Sequence, residues 1–157
     1  EDIAGRIAAR LRMSRRDSQA IVAAIRHHMR PLFLAQQVNG KGPSRKAMVK
    51  FFEEVGDVWL EVLALSLADK AAAHGPEADP HIRERQLALY RLLFAFHHDV
   101  YQPALAHPVL TGDDLLPLLP PGPRIGALLH QARHKQLLGE LPTREKALQW
   151  VERQVGG

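Results

Sequence analysis

Apolar positions recur along this chain at a spacing of three to four residues, and no stretch alternates with the period of two that marks a strand. Ile3, Ile7 and Leu11 predict a short helix that stops near Met13. Ser14, with Asp17 three residues on in the position of a capping box, predicts a second helix with Ile21, Ile25 and Met29 on its apolar stripe, ended by Pro31. Leu32-Phe33-Leu34 reads as an apolar turn, and Asn39-Gly40-Lys41-Gly42-Pro43 as a loop. Ser44 should cap a helix over 45–55, and Asp57 another from Val58 to about Ala73. That helix is apolar almost all round, a pattern expected in the middle of a core.

Gly75-Pro76 should end this first group, and Pro80 reopen a helix that runs to about Val100. Six prolines between Pro103 and Pro123 argue against long elements there. Thr111 predicts a short helix over 112–119, Gly122-Pro123 one that reaches about Leu138, and Thr143 one that reaches about Gln154. The expected fold is all-α, with seven or eight helices in two packed groups, 1–75 and 80–157.

Composition narrows this picture. A domain of 157 residues can bury roughly 70% of its unfolded surface and needs no covalent staple. The absence of cysteine excludes thiol catalysis, zinc fingers and disulfide frameworks, and agrees with a reducing cytoplasm, the expected location. No 18-residue apolar run offers a membrane span. Because Glu1 opens inside a predicted helix with no initiator Met or signal peptide, the chain is expected to be a piece of a longer protein.

The net charge of +4 conceals its distribution. Residues 6 to 50 hold Arg6, Arg10, Arg12, Arg15, Arg16, Arg26, Arg30, Lys41, Arg45, Lys46 and Lys50 against Asp17 alone, whereas residues 76 to 157 balance. A field this concentrated suits a polyanionic partner, although solvated helix faces would also account for it.

Three clusters invite a chemical reading. His28 falls near the edge of the buried stripe and His27 away from it, while Asp69 lies one turn beyond Leu65 on the central helix. A His and an Asp so placed could begin a divalent-metal site, but two ligands do not complete one, and the expected outcome is a structural pair between His28 and Asp69. His97-His98-Asp99 looks like a catalytic dyad but reads as a helix end near Tyr101 and Pro103. Arg15-Arg16-Asp17 is explained by the Ser14 cap, since no paired Asp-x-Asp or glycine-rich phosphate loop accompanies it. At Pro120-Pro121-Gly122-Pro123-Arg124, a hairpin opens a helix whose free amides beside Arg124 could meet a phosphate, or could simply pack two helices.

Several blocks carry a resemblance: Ser14 through His27-His28-Met29-Arg30-Pro31, then Ser66-Leu67-Ala68-Asp69-Lys70 with His74-Gly75, Leu110-Thr111-Gly112-Asp113-Asp114-Leu115-Leu116, Pro121-Gly122-Pro123-Arg124-Ile125-Gly126 and Gly139-Glu140-Leu141-Pro142-Thr143-Arg144-Glu145. Together they resemble the C-terminal half of bacterial tRNA nucleotidyltransferases and related poly(A) polymerases. The first group is similar to the later part of a histidine–aspartate (HD) phosphohydrolase domain, truncated at its start, and the second to an RNA-binding helical tail.

The resemblance implies that Mg²⁺, CTP or ATP, and the catalytic carboxylates belong to a head that these residues do not include. It matches His28, or His27, and Asp69 to late metal ligands of an HD site whose earlier ligands are missing. The expected role is therefore non-catalytic: docking tRNA, or another structured RNA, through its backbone phosphates. The candidates are Arg12, Arg15, Arg16, Arg26, Arg30, Lys41, Arg45 and Lys46, with Arg124, Arg133 and Lys135. The rest of the parent polypeptide is an implied partner and a homodimer a further one. An HD-type phosphohydrolase fragment and a dimerisation or protein-docking module are the rival readings.

Overall fold

The computed structural model describes residues 2–39, 42–74 and 80–156. Lys41 and the Gly75-Pro76 stop lie outside them. Among the described residues there are ten α-helical segments and no strand. Seven of these segments have nine residues or more. Contacts divide the chain into two compact units, Glu1–Leu93 and Phe94–Gly157. The division comes later than the expected one at 75–80, because the helix opened by Pro80 packs with the first unit for most of its length.

In the first unit, α1 (Asp2–Arg10) leads into α2 (Arg15–His27). Ser14 caps α2 as expected: its Oγ accepts the Asp17 amide at 3.1 Å and donates to Asp17 Oδ2 at 2.7 Å. The segment expected as an apolar turn is instead a third helix, α3 (Arg30–Ala35). Pro31 sits in its first turn, where its missing amide hydrogen costs nothing, so it starts a helix rather than merely ending one.

Helix α4 (Arg45–Val55) begins at Ser44, whose Oγ accepts the Ala47 amide at 3.2 Å. It buries Val49, Phe51, Phe52 and Val55. Phe52 meets Phe51 and Trp59 edge to face, with ring centroids 5.2 and 5.5 Å apart. A 3₁₀ turn, Gly56–Val58, then leads into α5 (Trp59–His74).

Helix α5 departs from expectation. It buries one stripe, Trp59, Val62, Leu63 and Ser66, and leaves Leu60 and Leu67 exposed, so it borders the core rather than running through it. Helix α6 (Pro80–Phe96) turns Gln86, Leu89, Tyr90 and Leu93 inward. Gln86 Nε2 donates to the Tyr90 hydroxyl at 2.8 Å, and that hydroxyl donates to the Leu63 carbonyl at 2.8 Å, joining α6 to α5.

The chain does not end its helix near Tyr101. It widens into a π turn, His97–Tyr101, in which the Gln102 amide reaches back to the His97 carbonyl, and continues as α7 (Gln102–Ala106). Pro103 explains the widening. In an ordinary helix its ring would strike the carbonyl four residues earlier, and a wider turn relieves the clash.

In the second unit Thr111 starts α8 (Gly112–Leu115), followed by α9 (Pro123–Leu138) and α10 (Arg144–Val155), the last capped by Thr143 through the Lys146 amide. Gly139 ends α9 in the left-handed conformation, with φ 81°. Leu110, Leu115, Leu119, Leu128, Ala132, Leu141, Ala147, Trp150 and Val151 form this unit's core.

Candidate nucleic-acid interface

The strongest cationic cluster is built by two local features that a helix ordinarily avoids. Helix α1 ends in a double hydrogen bond, Met13 amide to Ala8 carbonyl at 3.1 Å and Arg12 amide to Ala9 carbonyl at 3.0 Å. This motif places Arg12 in the left-handed region, with φ 53°, where glycine is the usual occupant. Arg12 alone among described non-glycine residues has a positive φ. Immediately after it, Arg15 and Arg16 occupy the first turn of α2, where the macrodipole disfavours cations.

Arg12, Arg15 and Arg16 are all exposed, and Asp17 is the acid that accompanies them. The pattern recurs at α4, where Ser44 is followed by Arg45 and Lys46 and the first turn holds no acid. Helices α2 and α4 pack against each other. Two helix starts in one unit thus carry paired cations where acids would be favoured, the first of them with Asp17 in the same turn.

Other candidates are already engaged. Arg30 pairs with Glu54, which also meets Lys50 at 3.7 Å. In the second unit Arg124 donates to the Gln154 carbonyl at 3.0 Å, at the end of α10, and Lys135 pairs with Glu140 at 2.6 Å. Arg124 is therefore turned toward the C-terminal end of α10. Arg26 and Arg45 are exposed and each has an interaction within the protein. Lys46 and Arg133 are exposed. Burial lowers the pKa of His27, with Arg30 and Arg26 adding to the effect.

The expected His28–Asp69 pair does not form. His28 Nδ1 donates to the Ile25 carbonyl at 2.6 Å, within its own turn, and Asp69 is exposed. His98 Nδ1 lies 2.7 Å from Asp99 Oδ1 at the surface, while His97 stacks on Tyr101. Among the described residues no group of three or more His, Cys, Asp or Glu could hold a metal ion.

One junction was not foreseen from the sequence. Asp114, three residues after the Thr111 cap, accepts the Thr111 amide at 2.7 Å and both Nε and Nη2 of Arg144 at 2.9 and 2.6 Å. The Thr-x-x-Asp spacing signals the capping box, but nothing local signals the arginine.

Among the described residues, no helix is long and apolar enough to cross a membrane. No family model and no solved structure matches the chain. Over 156 residues it is 30% identical to the A-adding tRNA nucleotidyltransferase of Deinococcus radiodurans, an alignment that takes in 97% of this chain and 33% of that protein. The chain thus spans about a third of the length of the curated relative it matches. This similarity, which runs along nearly the whole chain, supports kinship with the tRNA nucleotidyltransferase family.

Proposed function

We propose that this chain is a non-catalytic helical part of a tRNA nucleotidyltransferase and that it docks and positions tRNA through backbone phosphates. The relative's activity on tRNA supports tRNA as the ligand, and the observation that carries the docking role is the cationic start of α2. Arg12 in a left-handed conformation and Arg15 and Arg16 at a helix N-terminus are each locally unfavourable, and a phosphate backbone compensates all three together. Lys46 at the start of α4 offers a further exposed cation in the first unit, and Arg133 one in the second. Arg26, Arg30, Arg45, Arg124 and Lys135 would take part by exchanging partners they already hold, and Lys41 completes the set.

Contacts of this kind fix position without reading sequence, which suits an enzyme that must accept every tRNA by its shape. Low aromatic content, 6%, is poorly matched to stacking on unpaired bases. The A-adding activity of the relative favours addition of adenosine by the whole enzyme, with the remainder of the polypeptide as the neighbouring partner and the cytoplasm as the site of action. Carboxylates, Mg²⁺ and nucleotide would be supplied by that remainder.

The test is to mix the chain with radiolabelled tRNA, ATP, CTP and Mg²⁺. A tRNA that is bound but not extended agrees with the proposal. Extension by this chain alone, or failure to bind at low salt, overturns it.

A further inference from the structure

Helices α1 and α2, joined by a short turn around Met13, enclose an open apolar groove of about 350 Å³. One wall is a row at every fourth residue of α1: Ile3, Ile7 and Leu11, which are 64%, 44% and 63% exposed. The other wall begins with Ile21 and Ile25 of α2. That second row continues past the end of α2, because His28 and Met29 keep helical backbone angles and the Phe33 amide reaches back to the Met29 carbonyl at 3.4 Å. Met29 and Phe33 therefore follow Ile25 at the same spacing, 41% and 59% exposed. A side chain of this size offers on the order of 200 Å² when fully bare, so the two rows leave roughly 700 Å² of apolar surface uncovered. Monomeric proteins seldom expose so much in one place.

We infer that this face is a homodimer interface, closed by the same face of a second copy of the chain. Area supports that occupant. Two such faces bury about 1,400 Å² between them, within the roughly 1,200–2,000 Å² of stable, specific interfaces. Shape supports it too: a two-fold axis sets a row of one copy into the groove of the other and the reverse, so one surface serves as both ridge and hole. The product is two helix pairs packed face to face, the arrangement of a four-helix bundle. A lipid surface would engage a projecting apolar face rather than a groove. The inference does not rest on RNA binding, and its test contains no RNA.

Sedimentation velocity of the 157-residue chain over a concentration series is the experiment. A monomer–dimer equilibrium is expected, with a dissociation constant on the order of 1–10 μM. Ile3→Ser with Leu11→Ser should weaken the dimer about tenfold or more, and Phe33→Ser, on the second row, several-fold. All three side chains are largely exposed, and circular dichroism verifies that the variants keep their helix content. Because the seam is apolar, the dimer should persist in about 0.5 M NaCl, where contacts between exposed charges are screened.

A chain that stays monomeric about a hundredfold above the expected constant overturns the inference. So does a dimer that neither variant weakens, or one that salt dissolves. A ladder of larger oligomers would also contradict it, because a two-fold face closes on itself. A monomer that binds phosphatidylcholine/phosphatidylserine vesicles, and loses that binding in the double serine variant, would assign the face to lipid instead.

Discussion

Arg144 reaches Asp114 across thirty residues and donates to its Oδ1 from both Nε and Nη2, while Oδ2 accepts the amide and hydroxyl of Thr111. One carboxylate therefore closes the start of α8 and fastens it to the start of α10. The Asp114 side chain is 13% exposed while that of Arg144 is 60% exposed, so the junction lies at the surface with its carboxylate turned inward. The Thr111 amide, and next the Arg144 guanidinium, hold its pKa below the usual carboxylate value.

A folded-state pKa that lies below the unfolded one means that the pair stabilises the protein above the unfolded value, about 3.9, and that this contribution is lost as pH falls through the folded value. Asp114→Asn should lower stability at pH 7 by about 1 kcal/mol, the ordinary worth of such a cap. As pH falls from the unfolded value through the lower folded one, the difference from the parent chain should shrink. Urea unfolding at neutral pH and across that acid range measures it, and a difference independent of pH would contradict the assignment.

Tyr90→Phe should cost about 1–3 kcal/mol, because it strands the buried Gln86 amide and leaves the Leu63 carbonyl without its donor. Adding Gln86→Leu should recover part of the loss, since an apolar pair leaves fewer orphaned groups than a broken polar one. Chemical denaturation of the two single variants and the double variant gives the coupling.

Arg12→Gly relieves a left-handed conformation that costs a non-glycine residue roughly 1 kcal/mol. Thermal unfolding should show a chain at least as stable as the parent, and tRNA binding should weaken. Lower stability together with unchanged binding would mean that the arginine is kept for folding.

Glu54 pairs with Arg30, one of the candidate RNA contacts, and with Lys50. Glu54→Gln should cost less than about 1 kcal/mol of stability, because both partners are partly exposed. It should also strengthen tRNA binding at low salt, since an anion is removed and two cations are released. Weaker binding would show that Arg30 must be held by Glu54 in order to act.

Helix starts were legible in the sequence wherever a hydroxyl precedes an apolar-periodic run. Ser14, Ser44 and Thr143 each accept an amide of their first turn. That signal is local, so no tertiary knowledge is needed to read it. Proline was harder to interpret. Pro31 and Pro103 read as stops, yet one opens α3 and the other is carried through by a π turn, because a proline's effect depends on which turn of a helix it occupies.

The candidate surface was legible only as a tally of charge. Whether a cation faces outward or answers an acid depends on chain segments far apart, as Arg124 on Gln154 and Arg30 on Glu54 illustrate. The left-handed Arg12 carries no sequence signal, because the motif that demands it ordinarily announces itself with glycine. His28 was expected to find Asp69, but a carbonyl three residues back was nearer to hand.

The most direct test of phosphate docking by the start of α2 is a tRNA titration over a series of NaCl concentrations, with the parent chain and with Arg15→Glu/Arg16→Glu. The parent's log affinity should fall linearly with log salt, by roughly 0.7 to 0.9 for each phosphate neutralised. The double variant should bind more weakly with a shallower slope. Parent affinity that ignores salt, or a variant with the parent's affinity and slope, would contradict the account.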